Sequence, residues 1–341
     1  MRNKEFKFRK LATFALSISL TLCILFSGLT FILYGPYSYV REFIITSSMT
    51  TLRHQWIATM LYDEQAIDEV MRANTIIESG ETTDVGMINI GNAQWAGKNA
   101  KPTIKEAEII YADNDIIVEE FKFSSFKGWM MLVKDPKSIE LGISKDIGKK
   151  GEKLQAMSKR LGAFAAINAS GFADAGYVGD GGTTVGLVIN NGKVVNGSIG
   201  KKQGVIGFDK DGVLIVGEFP RDEVLDMELE YAVEFRPFLI VNGVPSLSKG
   251  NGGWGMAPRT AIGQREDGVV LLLAIEGRNP PTSIGATVVE VQDLMVAYGA
   301  VNAANLDGGS STSMILDGEI LNVPSSGEGE RAVPNGWLVM K

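Results

Sequence analysis

From Leu11 to Tyr34 the chain runs 24 residues without a charged side chain, and no other feature limits its architecture so strongly. As an α-helix that run is about 36 Å long against a hydrocarbon core of about 30 Å, so its length and composition match a membrane span. The residues before it carry Arg2, Lys4, Lys7, Arg9 and Lys10 against Glu5. The positive-inside rule keeps that flank in the cytoplasm and puts everything beyond Tyr34 outside. The run exceeds the roughly 7–15 apolar residues of a secretory signal, and no small-x-small cleavage pattern closes it, so a retained single-pass anchor is expected. Cys23 follows Leu22 rather than a small residue, and reads as a membrane-core side chain instead of a lipoprotein cleavage site.

The remainder of the 341 residues suffices for one large folded domain. Cys23 and His54 are the sole cysteine and histidine. An intrachain disulfide, a Cys/His zinc site and a Cys–His pair in a domain beyond residue 54 are therefore excluded. A net charge of -7 implies no basic face for phosphate backbones, so nucleic acid is not an expected partner. Chemistry must come from carboxylates, hydroxyls, amides, arginines, lysines or an oxygen-bound metal such as Ca²⁺ or Mg²⁺, and no cofactor is required by the sequence.

Five parts follow along the chain: a cytoplasmic N-terminus (1–10), the anchor (11–34), a juxtamembrane helical stalk (35–76), a linker (77–104) and a folded domain (105–341). Ile57, Met60 and Leu61, then Ile67, Val70 and Met71, recur at helical spacing, which predicts a helix over 48–72. His54 on it reads as a surface or packing residue. The 77–104 segment is rich in Gly, Asn, Thr and Ala and lacks apolar periodicity. Within the domain, Asn191-Gly192, Asp211-Gly212, Asn242-Gly243, Asp267-Gly268 and Asp317-Gly318 each separate β-branched apolar runs and predict hairpins with type I′ turns. Helices are predicted over 151–161 and 286–298. The fold class is α+β: a mostly antiparallel sheet built from hairpins, with flanking helices, preceded by one transmembrane helix.

Leu161-Gly-Ala-Phe-Ala-Ala-Ile-Asn-Ala-Ser-Gly echoes Tyr298-Gly-Ala-Val-Asn-Ala-Ala-Asn-Leu-Asp-Gly. Both read as helix, glycine, short buried strand and polar loop. If the two units meet, Asn168, Ser170, Asn305 and Asp307 converge at strand ends; otherwise the match is chance between two common connections.

Asn305-Leu-Asp-Gly-Gly-Ser-Ser-Thr-Ser is the sharpest segment: a buried strand ends in Asp307, Gly308 and Gly309 let the backbone approach a ligand, and hydroxyls starting with Ser310 follow. Read blandly, it is an Asp-Gly turn with solvated serines. Arg259 and Arg278 flank Glu276 at the ends of a predicted hairpin, suited either to bidentate binding of phosphate or carboxylate, or to a surface ion pair. Arg331 is a third candidate anion contact. The loop from Asp174 to Gly182 offers hydrogen bonds to sugar hydroxyls.

Together these segments resemble the phosphodiester glycosidase family. Its Asn-Gly-Gly-Phe-Phe motif looks like Asn168-Ala-Ser-Gly-Phe172, and its Pro-Arg-Thr-Ala-x-Gly looks like 258–263. Its acid-Gly-Arg before a helix looks like 276–278, its Asn-Leu-Asp-Gly-Gly-Gly-Ser-Ser looks like 305–311 with one glycine fewer, and its Glu-Arg-x-Val-x-Asn looks like 330–335. Gly128–Ser144 is similar more loosely. Ala169 and Ser170 replace two glycines, and Ser310 stands where a third is usual.

The resemblance implies a hydrolase that cleaves the sugar C1–O bond of a sugar-1-phosphodiester, with a glycan or sugar-phosphate as substrate, and the anchor's orientation places it outside the cytoplasm. It implies Asp307 and Glu276 as the carboxylates facing the anomeric carbon. It further implies Arg259 and Arg278 on the phosphate, and Asn168, Ser170, Asn305, Gly308, Gly309, Ser310 and Arg331 lining the substrate site. Two other readings stay open: a phosphodiesterase holding Mg²⁺ or Ca²⁺ on Asp307, Glu276 and Asp174, and a non-catalytic binder of envelope polysaccharide.

Overall fold

The structure, a computed structural model, describes residues 2–51, 54–78, 80–93, 95–173, 180–197, 201–247 and 253–341. The chain divides into two compact units, Met1–Val70 and Met71–Lys341.

The first unit opens with α1 (Arg2–Tyr34), whose Arg9–Tyr34 portion is long and apolar enough to cross a membrane and buries none of its apolar window within the protein. The single helix expected over 48–72 is instead broken, giving α2 (Ser38–Met49), α3 (Gln55–Leu61) and α4 (Glu64–Ala73), which runs across the boundary between units. Tyr62 is extended at φ -132° and ψ 149°, and the Asp63 carboxylate accepts the Ala66 N–H at 2.8 Å, a cap that starts a new helix. The Tyr34 hydroxyl donates to the Leu61 carbonyl at 2.8 Å and the Tyr62 hydroxyl to that of Leu33 at 3.2 Å, so the end of α3 is fastened to the end of α1.

In the second unit β1 (Ala107–Ala112), β2 (Ile116–Lys122) and β3 (Lys127–Val133) form a meander, and β4 (Ile139–Ile143) and β5 (Glu152–Lys153) lead into α5 (Leu154–Leu161) and β6 (Ala165–Asn168). Two hairpins follow, β7 (Val188–Asn190) with β8 (Lys193–Asn196) and β9 (Lys202–Phe208) with β10 (Leu214–Pro220). Next come α6 (Arg221–Asp226), β11 (Tyr231–Val233), β12 (Phe238–Val241), β13 (Val244–Pro245), β14 (Arg259–Arg265) and β15 (Val270–Ile275). The chain closes with α7 (Val288–Ala297), β16 (Ala300–Asn305), β17 (Met314–Leu316), β18 (Glu319–Ile320), β19 (Ala332–Val333) and β20 (Asn335–Val339). The main sheet has the order β1-β2-β3-β15-β14-β16-β12-β13, and two five-stranded sheets run β10-β9-β11-β7-β8 and β18-β17-β6-β20-β4. Every strand pairing among the described residues is antiparallel.

The apolar run of β15 has a direct cause. Val270, Leu272 and Ala274 enter the core shared with the two five-stranded sheets, while Leu271, Leu273 and Ile275 enter a second core under α7. A strand covered on both faces loses the polar alternation of a half-exposed one. All five glycine dipeptides turn hairpins. Asn191-Gly192, Asn242-Gly243 and Asp317-Gly318 have both residues at positive φ, between 48° and 80°, as a two-residue type I′ turn requires. At Asp211-Gly212 and Asp267-Gly268 only the glycine does, at 87° and 89°; these are longer connections closed by Gly212 N–H to Asp209 O and Gly268 N–H to Arg265 O, each 3.1 Å. α7 starts with a capping box in which Thr287 and Glu290 exchange bonds.

The 77–104 segment, read from composition as linker, bonds to the sheets. Thr83 Oγ1 donates to Val216 O at 2.9 Å and accepts Val216 N–H at 2.8 Å on the edge strand β10, Asp84 N–H donates to Asn242 Oδ1 at 2.7 Å, and Asn89 N–H donates to Glu266 O at 2.6 Å. Its polar side chains and main chain thus occupy an edge that would otherwise present unpaired donors and acceptors.

Helix α5 is held by Arg160, which donates to both carboxylate oxygens of Glu152 (closest 2.6 Å) and to Ile143 O of β4 at 2.8 Å. The Arg160 hydrogen bonds hold the Glu152 carboxyl below its ordinary 4.5 against the opposing effect of burial. A depressed acid stabilises the fold above its unfolded pKa and loses that contribution as pH falls through the folded one. Glu152→Gln is therefore expected to cost about 0.5–1 kcal/mol at pH 7, solvent screening of the partly exposed pair included, and to flatten the loss of stability below pH 4.5, measured by urea unfolding across pH; an unchanged acid limb would show the pair idle.

Candidate active site

One end of the sheets collects the segments singled out in the sequence. Strand β14 lies between β15 and β16, with Arg259 opposite Ile275 and Ala261 opposite Asn305. The first residues past β15 and β16, and the start of β14, therefore emerge side by side. Strand β6 joins them from the β18-β17-β6-β20-β4 sheet: the Asp307 N–H donates to Ala169 O at 3.0 Å, and Asn168 Nδ2 donates to Asp307 O at 2.6 Å. The internal echo thus has a physical counterpart. α5, Gly162 (φ 76°) and β6 deliver Asn168 as α7, Gly299 (φ 82°) and β16 deliver Asn305, and the two polar loops grip each other.

Asp307 is half-buried, its main chain fixed on both sides. Gly308 is required by a close approach: a Cβ there would lie 2.7 Å from Pro258 O. Gly309 has φ 62° and donates its N–H to Pro258 O at 2.9 Å. The Arg278 guanidinium lies across it, so a Cβ on Gly309 would sit 3.3 Å from Arg278 Nη1. Arg331 Nη1 donates to Ser310 Oγ at 3.2 Å, and its guanidinium stands 4.7 Å from the Phe172 ring centroid. The acid, the two glycines and two arginines therefore form one cluster.

Other predicted residues sit behind it. Arg259 is buried, and its guanidinium donates to the carbonyls of Ala286 (2.9 Å), Trp254 (3.1 Å) and Gly255 (2.6 Å). Burial and then the nearby Arg278 charge, partly opposed by Glu290, push its pKa down to about 9, so it stays a cation at neutral pH. Burial lowers the Arg278 pKa as well. Two desolvated cations this close favour an anion between or beside them. Glu276 is buried, its Oε1 accepting the Val323 N–H at 2.6 Å and its carbonyl the Ser283 hydroxyl at 2.7 Å. Asn168 Oδ1 accepts Thr260 Oγ1 (2.9 Å) and Ser313 N–H (3.1 Å), Asn305 Nδ2 donates to Arg236 O (3.1 Å), and Ser170 is buried with its N–H and Oγ both donating to Asn335 Oδ1 at 2.9 Å. These side chains brace the loops. Glu330 accepts the Gln155 N–H at 3.0 Å at the start of α5, and burial raises its pKa.

Sequence reasoning did not single out Thr260, which ties Asn168 to β14, nor Phe235, whose ring lies against Gly171, and Trp254, whose ring stands near Arg259. No local pattern marks them. Asp174 lies outside the described residues. Among the described residues no three His, Cys, Asp or Glu side chains gather closely enough to hold a metal ion. A separate open cavity lies at the other end of β14, between Arg265, Asp267, Asn89 and Gly299, and none of the strand-end residues lines it.

An α+β domain of antiparallel sheets, with an acid on a glycine turn among arginines at one end, is a suitable frame for a glycosidase-type hydrolase acting beside an anion. The family profile for phosphodiester glycosidases matches residues 161–340, just over half of the chain, and the chain belongs to the phosphodiester glycosidase family. It is 31% identical over 193 residues to the SPbeta prophage-derived uncharacterized protein YomE of Bacillus subtilis, an alignment covering 53% of this chain and 28% of that one. It is 27% identical over 161 residues to N-acetylglucosamine-1-phosphodiester alpha-N-acetylglucosaminidase of Bos taurus, covering 42% of this chain and 30% of the relative. The chain thus spans under a third of the length of these curated relatives. In fold it is similar to the zebrafish N-acetylglucosamine-1-phosphodiester alpha-N-acetylglucosaminidase catalytic domain, with a TM-score of 0.56, 21% identity, and coverage of 73% of this chain and 87% of that one.

Proposed function

We propose that this chain hydrolyses the C1–O bond of a sugar-1-phosphodiester. The observation that carries the reading is the Arg278 guanidinium lying on Gly309, one turn residue from Gly308 and two from Asp307, with the buried Arg259 charge behind it. In the reaction C1–O breaks, the electron pair stays on the phosphate oxygen, water adds to C1, and the water's proton is taken up by a carboxylate. The leaving phosphomonoester needs charge stabilisation more than proton donation, a task for Arg278 and for Arg331 with Ser310. Asp307 faces the anomeric carbon as nucleophile or as the base that activates water, with Glu276 as the second carboxylate, its orientation set by Val323. Arg259 positions the 254–259 turn and adds its charge from beneath.

The α1 helix supports a single-pass anchor, with the basic N-terminal flank cytoplasmic and the hydrolase domain outside the membrane. A cell-envelope glycopolymer or exopolysaccharide linked through sugar-1-phosphate is then the substrate within reach.

The test incubates the full chain in detergent micelles with a panel of sugar-1-phosphodiesters, with and without EDTA. Free reducing sugar plus a phosphomonoester, undiminished by EDTA, is the expected result. Sugar-1-phosphate plus an alcohol, lost in EDTA, would move the chemistry to phosphorus and to a metal. Binding without turnover would leave a polysaccharide-binding protein. Carbonate extraction of native membranes should leave the chain in the pellet; release to the supernatant would remove the anchor.

A further inference from the structure

Past the end of the paired part of β12 and β16, the two chains stay adjacent. Asn305 N–H donates to Pro237 O at 3.0 Å, and Asn305 Nδ2 donates to Arg236 O at 3.1 Å. Phe235 directly precedes this anchored Arg236-Pro237 pair. The Phe235 ring lies against the loop after β6, whose Ala169 carbonyl accepts the Asp307 N–H: a Cβ on Gly171 in that loop would lie 2.9 Å from Phe235 Cε2. Trp254 extends the surface: the two ring centroids are 6.2 Å apart at an interplanar angle of 59°, and the Trp254 ring centroid stands 6.0 Å from Arg259 Cζ. Both aromatic residues are only half-buried. Their placement is imposed from outside the pair. Arg236 is bonded to Glu78 and Glu218, and the Phe238 N–H donates to Glu78 Oε1 at 3.0 Å, which fixes the chain on the far side of Phe235.

An aromatic wall against the loop that holds the Asp307 main chain, with the desolvated Arg259 at its other end, divides the site by chemistry. The arginine side takes the anion. The wall offers apolar faces to a ring whose C–H groups point one way and whose hydroxyls point another, as in a pyranose. We infer that Phe235 and Trp254 form the wall of the sugar-ring pocket and set specificity for a six-membered glycosyl group on the C1 side of the scissile bond. The inference rests on the hydrolase reading above and deepens it.

Steady-state kinetics on a hexosyl-1-phosphodiester tests it, with the full chain and its Phe235→Ala, Phe235→Tyr and Trp254→Ala variants. Phe235→Ala and Trp254→Ala are expected to raise KM by about 10-fold each with kcat changed less than about 3-fold, and Phe235→Tyr to restore KM. Free sugar should compete with substrate in the full chain and lose that competition in Phe235→Ala. If the wild-type chain turns over and both alanine variants keep its KM and its inhibition by free sugar, the wall has no part in binding and the inference is overturned. An inactive wild-type chain would overturn the hydrolase reading instead. Should Phe235→Ala fail to fold, Phe235→Leu, which keeps the contact with Gly171 but not the flat face, decides: an unchanged KM there contradicts the wall.

Discussion

Asp307→Asn is expected to lower kcat on a sugar-1-phosphodiester by at least about 10³-fold while the protein stays folded. Two bonds that hold this residue run through its main chain and are untouched by the change: its N–H donates to Ala169 O and its carbonyl accepts from Asn168. An amide of nearly the same shape leaves those bonds alone and removes the negative charge that would face the anomeric carbon. Substrate affinity should change little, since the phosphate is held by other groups. Turnover near the wild-type level in a variant with an unchanged melting temperature would take Asp307 out of the reaction and leave Glu276 as the acid to examine.

Arg278 should give the second largest effect on activity, without a loss of stability. Its φ of 56° disfavours a β-carbon, so asparagine, which tolerates the left-handed region, is a cleaner replacement than alanine. Arg278→Asn is expected to lower kcat/KM by about 10²–10³-fold, the size of effect seen when one donor to a developing anion is removed. The same change deletes a cation that lowers the pKa of Arg259, so the variant should melt no lower than the wild type. Arg278→Lys keeps the charge without the planar fork and should recover only part of the activity. A fall in activity together with a loss of stability would instead identify Arg278 as a structural brace.

Much of this arrangement was readable from local pattern. Hairpins are specified by two residues and their flanks, and all five glycine dipeptides formed them, because φ near +50° to +90° is costly for most residues other than Gly, Asn or Asp. The echo between 161–171 and 298–308 was legible because the same helix, glycine and strand succession places Asn168 and Asn305 alike. The fate of a polar side chain at the end of a strand was not legible. Arg259 and Arg278 look equivalent in sequence, yet the first is consumed by three carbonyls from Trp254, Gly255 and Ala286, and the second lies over Gly309. Ser170 likewise turns to Asn335, 165 residues away. Such partners are chosen by packing between distant segments, which composition and spacing do not encode. The 77–104 segment misled for a related reason: it is fixed by polar bonds to Val216, Asn242 and Glu266 and by a few irregularly spaced apolar side chains, Ala93, Trp95, Ala100 and Ile104, which make no helical or strand period.

The most direct test of the account is the fate of the oxygen delivered by water. Hydrolysis of a sugar-1-phosphodiester by the full chain in H₂¹⁸O, with products resolved by mass spectrometry before the sugar exchanges its anomeric oxygen, should put the label on C1 of the released sugar and none in the phosphomonoester. Label in the phosphate would mean that water attacks phosphorus, and would contradict a glycosidase mechanism at Asp307 and Arg278.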